Sequence, residues 1–291
     1  MNAGLKLAAF AMALVLVFGA AALAGDAVGP DRSGESRAEM GTDGGGHTDD
    51  ADAGGHAGGA AAPAPVRGLS VSQGGLTLQL ESPVLERARR GELRFSIRGA
   101  DGRAVRDFEV EHEKRMHLIV VRRDGRGFQH LHPTLDAGGT WSTPITLPDA
   151  GAYRVFADFK HDGEARTLAA DLTVDGTARY RSLPEPAVTA DAGHGYEVRL
   201  NATGVRAGRE VALDFSVTRD GHEVETEPYL GARGHLVALR EGDLAFLHVH
   251  PDEDSLAFMA EFPSAGRYGL YLQFKHHGRV HTAEFTQQVT R

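Results

Sequence analysis

The feature that most constrains this chain is that it is written twice. His117, His130 and His132 recur as His235, His248 and His250, each 118 positions later. Further along, AGAYRVFADFKHDG (Ala150 to Gly163) recurs as AGRYGLYLQFKHHG (Ala265 to Gly278), 115 positions later after a three-residue deletion, which pairs His161 with His276. A repeat of about 100 residues is long enough to bury its own core, so duplication predicts two domains. The repeats read as residues 68–178 and 187–291, joined by TARYRSLPEPAVTADAGHG, where alternation is lost and two prolines intervene.

The repeated unit has the pattern of β-structure. LTLQL (Leu76 to Leu80), ELRFSI (Glu92 to Ile97), HLIVV (His117 to Val121), YRVFADF (Tyr153 to Phe159) and LAADLTV (Leu168 to Val174) are short runs separated by the turn signals GADGR, RDGRG and PDAGA. YEVRL, ALDFSV, HLVAL, YGLYLQF and AEFTQQV repeat the series, and neither copy carries an amphipathic helix pattern. Strands of this length and spacing predict an all-β chain made of two tandem immunoglobulin-like antiparallel β-sandwiches. Gly151 with Tyr153, and Gly266 with Tyr268, have the form of the turn and tyrosine that close a corner in such sandwiches.

Ahead of the repeats, Lys6 precedes the uncharged run Leu7 to Ala24, which ends in Ala22-Leu23-Ala24. A positive start, an apolar stretch and an A-x-A ending predict export. Residues 1–24 would be a cleaved signal peptide or a hydrophobic helix retained as a membrane anchor, since about 18 apolar residues approach a spanning length. Either way the expected location is extracytoplasmic, secreted or anchored to the cell membrane, with membrane contact only through this segment. Residues 25–67 are Gly, Ala, Asp, Ser and Pro with almost no large apolar side chain, which predicts a disordered linker. His47 and His56 lie in it among aspartates, either as incidental residues of a solvated linker or as a weak metal-gathering tail.

Composition removes several functions. A formal net charge of -9 and the lack of a long Lys/Arg run argue against nucleic-acid binding. The chain has no cysteine, so disulfides, thiolate metal sites, a cysteine nucleophile and a lipid-modified cysteine are all excluded, and histidine becomes the leading ligand type. A G-x-S-x-G nucleophile elbow is also missing. The expectation is a binding protein and not an enzyme.

Hairpin geometry turns the histidines into a candidate metal site. In HLIVVRRDGRGFQHLHP, a two-residue turn at Asp124-Gly125 or a four-residue loop from Arg123 to Arg126 both set His130 opposite Ile119 and His132 opposite His117. Side chains alternate along a strand, so His117, His130 and His132 share one face, with Cβ atoms about 5 to 7 Å apart. Their nitrogens could converge on one ion at about 2.0 to 2.1 Å. With Gly242-Asp243 as the turn of the second copy, His235 faces His250 and shares a side with His248. His161 and His276, at the ends of the two FKH strands, are the fourth candidates, followed by Asp162 and His277.

The same faces carry Ile119, Val121 and Phe128, or Val237, Leu239 and Phe246. A metal-free extracellular interaction module with structural histidines is therefore the alternative. Gathering imidazoles at the rim of a core costs desolvation unless each is paired or metallated, which favours a metal ion. Nitrogen-rich surroundings suit copper(II), zinc or nickel, and copper or zinc is the expected cofactor. Met116 could add a soft ligand, but Gly234 stands there in the second copy. His112, His194, His222 and His281 read as surface residues. Metal affinity is expected to fall as pH drops through about 6.5, the ordinary imidazole range.

With its G-x-Y and FKH motifs downstream, MHLIVVRRDGRGFQHLHP and PYLGARGHLVALREGDLAFLHVHP resemble a group of bacterial exported or membrane-anchored proteins suspected of handling copper or other heavy metals. The likeness covers about Gly68 to Val289. More remotely, each repeat is similar to the small immunoglobulin-like exported domains of the YtkA/FixH kind. The resemblance implies a sandwich fold and metal handling, with an exported or membrane metal-trafficking protein as a possible partner; it implies no particular ligand set.

Overall fold

The computed structural model describes residues 66–247, 249–251 and 254–291. The apolar N-terminal segment, nearly all of the linker and His248 lie outside the described residues, as does the side chain of His250. Every regular element among the described residues is a strand, and no helix among them is long and apolar enough to cross a membrane.

The first repeat is two facing sheets. One has the order β1 (Ser72–Gln73), β2 (Leu76–Leu80), β4 (Gly91–Arg98), β8 (Trp141–Ile145), β7 (Thr134–Leu135). The other runs β3 (Val84–Leu85), β10 (Glu164–Val174), β9 (Gly151–His161), β5 (His117–Arg122), β6 (Gln129–Leu131). Alternation sends Leu76 and Leu78 of β2, with Leu93, Phe95 and Ile97 of β4, onto Leu118, Val120, Tyr153 and Val155 of the opposite sheet. The ladders are antiparallel except β3, which pairs parallel to β10 through Thr173 with Val84 and Val174 with Leu85.

The second repeat follows the same plan. Its sheets are β11 (Thr189–Gly193), β12 (Tyr196–Asn201), β13 (Glu210–Arg219), β18 (Ala257–Glu261), β17 (His250–Pro251), and β16 (Phe246–Leu247), β15 (Gly234–Arg240), β19 (Gly266–His276), β20 (Arg279–Val289). A short β14 (His222–Glu223) pairs with β13. The corner tyrosines predicted from the sequence are in place. Tyr153 Oη donates to the Asp149 carbonyl at 2.9 Å, and Tyr268 Oη donates to the Ser264 carbonyl at 2.9 Å.

All six residues of β5 are buried, although a sandwich strand usually has one wet face. The reason lies in the second repeat. Leu118 and Val120 enter the first sandwich, while Ile119 and Val121 join Phe156, Val237, Leu239, Phe246 and Tyr271 in a third core between the repeats. Phe128 stacks on Tyr271 with ring centres 4.3 Å apart, and Phe156 packs on Phe246 at 5.6 Å. Phe246 is the duplicate of Phe128, and Tyr271 that of Phe156, so the two contacts are one contact used twice. The interface is thus isologous, as in a two-fold dimer, but within one chain. At its edge Tyr271 Oη donates to the carbonyl of Gly125. Gly125 needs to be glycine: its φ is +77°, and a Cβ there would lie 2.7 Å from Leu183 of the junction.

Candidate metal centre

The β5–β6 ladder has the register expected from the sequence: Leu118 pairs with Leu131, Ile119 with His130 and Val120 with Gln129. The tip differs from both expected turns. Gly125 N donates to the Arg122 carbonyl and Arg122 N to the Arg126 carbonyl, which leaves three residues at the tip. Gly127, at φ +66°, takes up the odd residue before the ladder begins. The arginines of the tip each have a partner: Arg122 pairs with Asp124 at 2.8 Å, Arg123 pairs with Asp171 at 2.6 Å, and Arg126 donates to the Ser182 carbonyl at 3.3 Å.

In the second hairpin Ala238 pairs with Leu247 and Leu239 with Phe246, again the expected register. The expected pairing of His235 with His250 is not what the backbone does. After Leu247 the chain leaves this sheet, and His250 pairs with Met259 of β18 in the other sheet. The first copy makes the same crossing, since Thr134–Leu135 pairs with β8. In the first copy Pro133, which has no N–H, cannot extend the β5 ladder; in the second the chain has already left it after Leu247, and Pro251 pairs with Phe258 of the other sheet.

His117, His130 and His132 offer nitrogens that all lie within 4.8 Å of one another. Ring centres are 5.2 Å apart for His117 and His130, 5.1 Å for His117 and His132, and 4.8 Å for His130 and His132. Imidazoles bound at about 2.0 to 2.1 Å around a tetrahedral ion have ring centres about 5 Å apart, so the trio already has the spread of a ligand set. His117 is 6 % exposed; His130 and His132 are partly buried. His117 Nε2 lies 3.1 Å from the Glu111 carbonyl, His117 Nδ1 3.0 Å from His130 Nε2, and His130 Nδ1 2.7 Å from Gln273 Oε1. His132 Nε2 is buried without a hydrogen-bond partner among the described residues.

Two residues of this neighbourhood escaped the sequence reading. His112, expected at the surface, packs its ring 5.0 Å from His235 and 6.2 Å from His117. It belongs to a tight loop closed by paired bonds between Glu111 and Lys114, duplicated as Tyr229 and Ala232. The counterparts 118 positions apart were a usable signal. Asp158 stands opposite His117 on β9 and accepts a 2.6 Å bond from Thr167 Oγ1. A small cavity opens among His112, His117, His130, Asp158 and His235.

Burial holds all four central imidazoles neutral. It pushes His130 well below the usual range, helped by His117, His132 and His235. His132 falls to about 4 through burial, His117 and Lys114, and His235 to about 3 through burial, His117 and His112. Burial also lowers His117, against the Glu111 carbonyl and the Asp158 carboxylate, which favour its proton.

The remaining candidates lie elsewhere. His161 is not beside the trio: its Nδ1 meets the Asp107 carbonyl at 2.8 Å, and it forms a separate, more exposed group with Asp107 and Asp162. Since β9 pairs His117 with Asp158, the strand carries His161 three residues beyond. His276 binds the Tyr196 hydroxyl at 2.7 Å, with His277 at 4.1 Å between rings. His281 is buried, not at the surface, stacked on Phe274 at 5.3 Å. His222 is exposed on β14, and Met116 is sealed in the core of the first sandwich.

A family model described as Domain of unknown function (DUF8832) matches twice, over residues 70–176 and 189–291. The chain belongs to this family. Each repeat is one DUF8832 domain, so the centre just described lies where two such domains meet. Comparison with curated proteins gives no match. Among solved structures the chain is similar to Salmonella alpha-2-macroglobulin reacted with methylamine, at 16% identity and a TM-score of 0.27, covering 78% of this chain and 16% of that one. It is similar also to the Escherichia coli adhesin FdeC, at 14% identity and TM-score 0.27, covering 76% and 66%. For the FN1-FN3 domains of chicken CNTN1 the values are 11%, 0.23, 72% and 69%. The chain thus spans a small part of the macroglobulin and about two thirds of the other two, and at such TM-scores none of them bears on function.

Proposed function

We propose that this is an exported metal-binding protein whose centre, built on His117, His130 and His132, takes up copper(II) or zinc for sequestration or delivery. The observation that carries the reading is the trio itself: three neutral imidazoles at ligand spacing, one of which, His132, has a buried Nε2 with no partner. An orphaned buried nitrogen costs about 1 to 3 kcal/mol, which a bound cation would offset. With nitrogen donors and no thiolate, copper(II) and zinc are the ions this set suits. Export rests on the sequence of residues 1–24, and the receiving partner would be another exported or membrane metal-trafficking protein. His248 and His250 stay candidates on spacing alone, while His161 and His276 have other partners and would serve this centre only indirectly.

A metal-free interaction module is favoured by one feature, the apolar core around the histidines, in which Gln273 already satisfies His130. That account leaves His132 Nε2 unexplained. Calorimetric titration of the protein, purified without a histidine tag, separates the two readings. Copper(II) or zinc binding at micromolar Kd or tighter, lost in His130→Ala/His132→Ala, is the expected result. Binding no tighter than millimolar, or unchanged in the double variant, leaves the metal-free module.

A further inference from the structure

Resting on that reading, we propose that the centre is shared between the two repeats: His235 of the second repeat is its fourth nitrogen ligand, and Gln273, also of the second repeat, is the positioning residue for His130. His235 is the duplicate of His117, and the two-fold relation of the repeats brings the pair together. Their rings lie 5.7 Å apart and within 22° of parallel, and His235 is 5.9 Å from His130. These spacings lie beyond the trio's 4.8 to 5.2 Å by about 1 Å or less on average, a shift that a side-chain rotation supplies. Like His132, His235 has a buried Nε2 with no partner among the described residues, while the Leu230 backbone accepts a bond from its ring. His161, the fourth ligand expected from the sequence, is turned to the Asp107 carbonyl instead.

Hydrogen bonding fixes which nitrogens are free. The Glu111 carbonyl can only accept, so His117 Nε2 donates and Nδ1 keeps its lone pair. His130 Nδ1 donates to Gln273 Oε1, so its Nε2 lone pair remains. Those two lone pairs face each other 3.0 Å apart. Neutral imidazoles in that arrangement repel unless a cation sits between them, and two ligands of a tetrahedral ion have nitrogens about 3.3 Å apart. Gln273 thus does for His130 what outer-shell carbonyls and carboxylates do for metal-bound histidines: it sets the tautomer and the ring plane. Because it comes from the second repeat, as does His235, metal held by the first repeat would depend on the second.

The test uses the full chain loaded with one equivalent of copper(II), read by electron paramagnetic resonance for the number of coordinated nitrogens and by competition for affinity. The wild type should show four nitrogens; His235→Ala should show three and bind at least about tenfold more weakly. His235→Gln makes the same test should the alanine variant fail to fold. Gln273→Leu should weaken binding about tenfold, and Gln273→Glu, which still accepts from His130 Nδ1, should restore it. Unchanged nitrogen count and affinity in the His235 variants overturn the shared centre while leaving the trio. Wild-type protein that fails to bind, or binding unaffected by His130→Ala/His132→Ala, overturns the metal reading and this inference with it.

Discussion

At the scale of single residues, burial resets the chemistry of the histidines. A solvated imidazole gains a proton near pH 6.5, but His132 is held to about 4 and His235 to about 3. Protons therefore compete with metal later than the sequence alone suggests. Affinity should persist below about pH 6.5, where solvated imidazoles would already compete, and fall as pH approaches the value of about 4 to which His132 is held, measured by zinc titration across that range. Stability of the metal-free protein follows the same shift. Unfolded histidines protonate first as pH falls, so stability is full above about pH 6.5 and is lost as pH falls from there to the folded values. Each such histidine costs about 1.4 kcal/mol per pH unit in that window. Urea unfolding at pH 7 and pH 5 checks this; equal stability at both would mean the imidazoles are not held neutral. The corner tyrosine is simpler. Tyr153→Phe removes the bond to the Asp149 carbonyl and should cost about 1 kcal/mol, without altering metal affinity.

At the scale of elements, parity carried much of the reading. A strand period of two set Ile119 against His130 and placed three histidines on one face, because a one-residue slip would have reversed every side chain; the expected turn is not the one formed, and the register holds because Gly127 absorbs the odd residue of the three-residue tip. The pairing of His235 with His250 was not legible, since it assumed one continuous return strand. The chain crosses between sheets within the H-x-H-P stretch, by Pro133 in the first repeat and before His250 in the second, and only the opposite sheet decides where the strand goes next. His112 was misread for a related reason: a loop residue carries no periodicity, and a histidine facing a second domain looks like one facing water. His281 is different, since on β20 it shares the buried face of Ala283 and Phe285, and strand parity could have placed it inside. The apolar residues beside the histidines did carry the signal of a covered face, although what covered them was the other repeat. Phe246→Ala removes a nearly buried ring from that seam; a loss of about 3 kcal/mol or more is expected, with weaker metal binding alongside, by thermal unfolding and titration of the same variant.

At the scale of the whole molecule, duplication has been turned into a joint. Two immunoglobulin-like sandwiches pack through the faces that bear the histidines, and their aromatic contacts repeat about an approximate two-fold relation. A ligand that binds only the folded, joined form stabilises it by mass action, by about 2.7 kcal/mol at one hundred times Kd. Zinc at that excess should raise the unfolding midpoint of the wild type and leave His130→Ala/His132→Ala unmoved. The most direct test of the central claim is to locate the ion. In crystals of the full chain grown with zinc, anomalous scattering at the zinc edge should give a peak within about 2.2 Å of nitrogens from His117, His130 and His132. A peak at His161 or His276 alone, or none at the trio with zinc in excess, would contradict the account.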